Sequence, residues 1–133
     1  MNYWLMKTEP GTYSWSDLVR DKKTAWDGVR NFQARSNLKA MSKGDVVLIY
    51  HSGDDKAVVG IGKIVKEAYP DPKEPDWVCI DVAVDKPLKK PVTLAQIKSD
   101  KRLTEMTLVK SSRLSVQPVR KEEFDLIVGL SEK

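Results

Sequence analysis

Val46-Val47-Leu48-Ile49-Tyr50-His51-Ser52 is apolar enough to be buried on both faces, and Gly53-Asp54-Asp55-Lys56 follows it directly. Seven residues rich in β-branched and aromatic side chains, ended by a Gly/Asp cluster, read as a strand and its hairpin-type connection. Ala57 to Val65 is then a long second strand, interrupted by Gly60 and Gly62. Glycines inside a strand mark bulges or barrel bends. Further out, Trp77-Val78-Cys79-Ile80-Asp81-Val82-Ala83-Val84 alternates like a half-buried strand. Tyr3 to Lys7 is a short strand closed by the Thr8-Glu9-Pro10-Gly11 turn, and Ser115 to Val119 is an extended edge because of Pro118. Tyr69 to Asp76 carries three prolines in eight positions and is excluded as a central strand.

Helical signals flank these strands. Ser14 caps a short helix over Trp15 to Arg20, with Asp17 near its positive end. Asn31 caps a second, in which Ala34, Leu38 and Met41 share a face and Gly44 is the stop. Thr93 caps a short helix through Lys98, part of Leu103 to Leu114 is helical, and Glu122 to Leu130 is a final amphipathic helix. Short strands with helices at both ends of the chain predict a small mixed α+β barrel. A doubly wound sheet would need regular strand–helix alternation, which is absent.

The chain has 133 residues, 41% hydrophobic and 32% charged, which suits a single domain spanning residues 1–133. Its net charge of +4 is unevenly placed. Residues 1–85 carry 12 Lys and Arg against 13 Asp and Glu, whereas residues 86–133 carry 11 against 6. Gathered on one face, Lys86, Lys89, Lys90, Lys98, Lys101, Arg102, Lys110, Arg113, Arg120 and Lys121 would make a phosphate-seeking stripe; spread out, they are a solvated surface. One cysteine, Cys79, excludes an internal disulfide and reads as a packed thiol. With one histidine, His51, it cannot form a Cys/His zinc set, so no metal and no cofactor is expected. No run approaches the roughly 20 apolar residues of a membrane span, and Met1 to Lys7 does not resemble a signal peptide. A cytoplasmic protein, or a nuclear one in a eukaryote, is the expectation.

Catalytic motifs are missing: no phosphate-binding Gly-Lys-Ser/Thr loop, no dinucleotide glycine fingerprint, no nucleophile elbow and no zinc-protease helix. The chemistry-bearing signal is aromatic. Trp26, followed by Asp27 and Gly28, lies in a turn where an indole can face a planar ligand, or alternatively serves the core with the other large rings. Arg30, Asn31, Gln33 and Arg35 supply amide and guanidinium donors beside it, or form an ordinary exposed helix face.

Five blocks carry a resemblance that spans nearly the whole chain. Tyr3–Pro10, Trp26–Arg35, Val47–Ser52, Ala68–Asp71 and Ser112–Val119 resemble, in order, the signatures of the EVE domain. Two positions depart slightly: Thr8 stands where serine is commoner, and Phe32 where tyrosine is frequent.

The resemblance implies a PUA-like fold, a bent mixed β-barrel of about five to six strands with surrounding helices. It also implies kinship with YTH domains and a non-catalytic module that recognises a modified base in DNA or RNA, flipped into an aromatic and polar pocket. On these positions Trp26 becomes one wall, while Lys7, Thr8 and Glu9 resemble the segment that reads the base edge. His51 and Ser52 would line the opposite rim, although His51 reads equally as a structural histidine. Arg30, Asn31, Gln33 and Arg35 would hold the flanking strand. Lys110, Arg113, Ser115 and Gln117 would extend the backbone track. Two other classes stay open: an enzyme acting on a nucleotide or nucleoside-like ligand with His51 and Glu9 as acid and base, and a protein-interaction module.

Overall fold

The computed structural model describes residues 1–133. Strand β1 (Tyr3–Thr8) leads through a turn to helix α1 (Trp15–Asp21), strand β2 (Lys23–Ala25) and helix α2 (Phe32–Ala40). Strands β3 (Val46–His51), β4 (Ala57–Pro70) and β5 (Val78–Thr93) follow as a meander, then helix α3 (Leu94–Ser99). A 3-10 turn at Lys101–Leu103, helix α4 (Thr107–Lys110), strand β6 (Val116–Val119) and helix α5 (Lys121–Ser131) complete the chain.

The six strands form one sheet in the order β2-β5-β4-β3-β1-β6. Only β1 and β3 run parallel; every other pairing is antiparallel. The expected mixed α+β architecture and strand number hold, but the barrel is not closed, because β2 and β6 are free edges. Pro118 lies on edge strand β6, opposite Trp4, where its missing N–H costs no second ladder bond.

Strand β3 is covered on both faces, as its composition predicts. Val47 and Ile49 join Trp4, Met6, Ile64, Ile80 and Val82 under Leu18 of α1 and Ala34 and Leu38 of α2. Leu48 and Tyr50 join Leu5, Val58 and Ile61 under Ile97 of α3 and Ile127 of α5. The register of β4 slips between Val58 and Gly60 and again between Ile61 and Gly62, so the glycines do mark bulges. At Gly60 the reason is packing, since an added Cβ would lie 2.5 Å from the Trp15 ring.

Three features depart from expectation. Strand β2 has no apolar pattern and exists by pairing with Asp81–Ala83 of β5. Strand β4 continues past Val65 to Pro70; beyond Lys63 it has only β5 as a neighbour, so the proline interrupts no second ladder. Strand β5 likewise runs through Pro87 and Pro91, where β2 no longer pairs with it.

The caps form where expected. Ser14 and Asp17 make a reciprocal capping box on α1, Thr93 and Gln96 one on α3, and the Asn31 side chain accepts from the Ala34 amide at 2.9 Å.

Candidate functional site

The end of β1 and the loops around β2 converge on a cavity of about 440 Å³. From β1 and its turn come Lys7, Thr8, Glu9, Thr12 and Tyr13; from β2 and the loop after it come Thr24, Ala25, Trp26, Asp27, Gly28, Val29 and Arg30. Ser115, just before β6, completes the lining. The volume lies within the roughly 300–1,000 Å³ typical of small-ligand sites.

Tyr13 and Trp26 make an aromatic corner, with ring centroids 6.4 Å apart and planes at 85°. Trp26 is not the open platform its polar neighbours suggest. It is 9% exposed and packs in the core, its amide held by the Ile80 carbonyl at 2.7 Å, so only a residual part of the indole meets the cavity. Tyr13 supplies the second wall. Its hydroxyl donates to Asp21 at 2.9 Å, and burial together with that bond pushes the phenol pKa up.

The polar groups divide by what they already hold. The Thr8 hydroxyl donates to the Tyr13 carbonyl at 2.6 Å, so toward a ligand it can only accept. Lys7 Nζ donates to the Ser112 carbonyl at 2.6 Å, and burial lowers its pKa. Glu9 is exposed at the rim, its carboxylate over Gly53: a Cβ on that glycine would lie 2.8 Å from Oε2. Asp27 lines the same cavity 3.6 Å from Lys73.

The Gly28–Arg30 wall is fastened by Asp71, which the sequence places in a proline-rich loop, at the end of the Ala68–Asp71 block, with no role in the site. Asp71 is fully buried, and its Oδ2 accepts from the Gly28 amide and from Arg30 Nη1, each at 3.0 Å. Its Oδ1 accepts from the Lys73 amide at 2.8 Å. Burial alone would raise the carboxyl pKa, but these donors outweigh it and hold it at about 2.

Several expected site residues lie elsewhere. His51 is 9% exposed and does not line the cavity. Its Nε2 accepts the Trp15 amide at 2.9 Å, which leaves the proton on Nδ1, facing Asp55 at 3.0 Å. It therefore fastens the first turn of α1, while Glu9 lines the cavity. Ser52 is also structural, donating through its amide and hydroxyl to the Thr8 carbonyl at 2.9 and 3.3 Å. Gln117 cannot reach a phosphate: it is completely buried, and its amide donates to the Leu114 carbonyl at 2.7 Å.

Asn31, Gln33, Lys110 and Arg113 meet in a second depression of about 360 Å³. The backbones of Ser112 and Ser115 link it to the cavity through Lys7, whose Nζ reaches the Ser112 carbonyl and whose amide donates to the Ser115 carbonyl. Arg35 points to the Asp76 carbonyl at 3.0 Å and to the rings of Phe32 and Trp77.

Four members of the expected basic stripe are already paired with carboxylates: Arg102, Lys110, Arg120 and Lys121 with Asp100, Glu105, Glu123 and Asp125. Arg120 and Lys121 line a different cleft with Met1 to Trp4, leaving Lys110 and Arg113 beside the site.

The open mixed sheet flanked by helices is a PUA-like architecture. An ASCH protein of Zymomonas mobilis shares it over 97% of this chain and 95% of its own, with a TM-score of 0.58 at 13% identity, a likeness of fold alone. The chain belongs to the EVE domain family, whose model matches residues 2–130. Thymocyte nuclear protein 1 of Mus musculus is 39% identical, covering 98% of this chain and 74% of the relative. A Rhodopseudomonas palustris protein solved by NMR superposes with a TM-score of 0.95 at 47% identity, covering 99% of this chain and 94% of that one. The human THYN1 protein, solved in complex with DNA containing 5-methylcytosine, superposes with a TM-score of 0.92 at 36% identity. That match covers 100% of this chain and 99% of the human one. No helix here is long and apolar enough to cross a membrane.

Proposed function

We propose that the 440 Å³ cavity receives a single modified nucleobase lifted out of a DNA strand, and that the protein binds it without changing it. The observation that carries this reading is the Tyr13–Trp26 corner in a cavity whose lining also includes Glu9 and Asp27. A corner of two rings takes a flat, half-apolar ligand. Carboxylates beside it suit a base with an exocyclic amine, since ionised Asp and Glu only accept and a cytosine amine only donates. Stacking worth about 1–3 kcal/mol offsets an unstacking cost of a few kcal/mol. The human THYN1 complex with 5-methylcytosine DNA supports this choice of ligand class.

Lys7 and Arg30 form the cationic side of the mouth, and Asn31, Gln33, Lys110 and Arg113 would hold the backbone next to it. The test is fluorescence anisotropy at fixed salt with matched oligonucleotides carrying 5-methylcytosine, cytosine or N6-methyladenine, in DNA and in RNA. The methylated cytosine in DNA should bind most tightly, and Glu9→Gln or Asp27→Asn should reduce the preference over the other bases. Equal binding to all members, stronger binding of the RNA set, or chemical turnover of the base would overturn the reading.

A further inference from the structure

Phe32 is 68% exposed, although it belongs to a stack that is already built. It is the first residue of α2, and its ring lies on Trp77 with centroids 5.2 Å apart and planes at 30°. Trp77 is fixed from behind: its carbonyl accepts the Asp71 amide at 2.8 Å and its amide donates to the Glu74 carbonyl at 2.9 Å. The Arg35 guanidinium is 4.9 Å from the Phe32 centroid and 5.1 Å from that of Trp77. With the rings themselves 5.2 Å apart, the three centres form a nearly equilateral triangle. Arg35 therefore bridges the two rings, and Phe32, with one side on Trp77, still keeps most of its surface in solvent. Arg30, which lines the cavity, has its guanidinium 5.7 Å from the Trp77 centroid. The stack is thus joined to the cavity mouth through a single side chain.

A lone phenylalanine on a surface needs no explanation. A phenylalanine backed by an anchored indole, with one guanidinium on both rings, a second on the indole and most of its surface in solvent is different: every part of it suits a planar π-system attached to a phosphate. We propose that Phe32 is a stacking platform for the nucleobase adjacent to the one that enters the cavity, with Arg35 and Arg30 facing the linking phosphates. The inference rests on the reading of the cavity as a base pocket. It adds a second contact that holds the strand without reading the modification.

The experiment is a cycle of protein and DNA changes, measured by anisotropy on 5-methylcytosine and cytosine duplexes of one sequence. Phe32→Ala should stay folded, with its melting temperature lowered by no more than a few degrees through loss of the Trp77 stack. It should weaken both duplexes by about 5- to 150-fold, the cost of one lost base–aromatic stack, and leave their affinity ratio unchanged. Phe32→Trp should restore binding. An abasic site next to the methylated cytosine should weaken the wild type but not Phe32→Ala. The platform is overturned if Phe32→Ala binds like the wild type, or if its loss is the same with and without the abasic site on either side. Failure of the pocket reading looks different: the wild type would bind the two duplexes equally, whatever occupies position 32. No binding to any duplex would overturn both.

Discussion

The buried carboxylate of Asp71 and the guanidinium of Arg30 meet at 3.0 Å, and the same carboxylate oxygen takes the Gly28 amide. Asp71 thereby ties the proline-rich loop to the wall of the cavity and, through its own amide, to Trp77. The loop that looks irregular in sequence positions both the cavity mouth and the exposed aromatic stack.

Replacing Asp71 should expose this dependence. Asp71→Asn keeps the volume but loses the charge, and Asp71→Ala leaves the Gly28 and Lys73 amides without an acceptor; about 1–3 kcal/mol of stability should be lost in the alanine variant. The pH dependence has a definite sign. A carboxyl held at about 2 in the fold, below its ordinary 3.8, contributes stability that is complete above pH 4 and lost as pH falls toward 2. Thermal melts of the wild type from pH 6 to 2 should show that decline, and Asp71→Asn should lack this component.

His51 provides a direct test of structure against chemistry. Its Nε2 receives the Trp15 amide at the start of α1, so His51→Ala should lower stability by about 1 kcal/mol, like the loss of a helix cap. Oligonucleotide affinity measured below the melting temperature should stay within twofold of the wild type. A selective loss of binding with unchanged stability would put His51 back in the site.

What the sequence showed and what it hid follow from how local each feature is. Alternation and capping are written within a few residues, so β1, β3, α1 to α3 and the bulges at Gly60 and Gly62 were legible. Lys23-Thr24-Ala25 becomes a strand only because β5 offers it partners, and no pattern inside three residues announces that. Asp71 and Gly28 are 43 positions apart, and the importance of the aspartate exists only once the chain brings them together. The resemblance over Ser112–Val119 places Gln117 on the backbone track. Its burial depends on carbonyls of the preceding turn that accept from its Nε2, while its Oε1 has no partner. Trp26 was found as a cavity residue, but the depth of its burial came from α1 and α2 packing around it.

The glycines should separate by what surrounds them. Gly60→Ala would drive a methyl group into the Trp15 ring and should destabilise the protein by about 1–3 kcal/mol. Gly28 has open space but a φ of +79°, so Gly28→Ala should cost about 1–2 kcal/mol through the backbone alone. Gly129, inside α5 with nothing within 4 Å, should gain about 0.5–1 kcal/mol as alanine. Chemical denaturation of the three variants at neutral pH checks the order.

Cys79 should be silent toward thiol reagents in the folded protein. It is completely buried, and desolvation is the largest influence on its thiol, raising the pKa. Ellman's reagent at pH 8 should label it only after denaturant is added. Labelling at native-state rates comparable to a free thiol would show that β5 opens readily at this point.

Arg113 and Lys121 should respond differently to salt, although both belong to the basic final third of the chain. Arg113 lines the depression beside the cavity and has no carboxylate partner within salt-bridge distance, so it is available to a phosphate. Lys121 is bound to Asp125 at 2.8 Å and lines another cleft, with Met1 to Trp4. If binding follows the track from the cavity to Lys110 and Arg113, Arg113→Ala should reduce the slope of log K against log salt by about 0.9, one released counterion. Lys121→Ala should leave that slope as it is. Both should keep the ratio between methylated and unmethylated DNA, because a phosphate contact carries no information about the base. Equal slope changes in the two variants would mean that nucleic acid is attracted by net charge alone, with no defined track at the cavity.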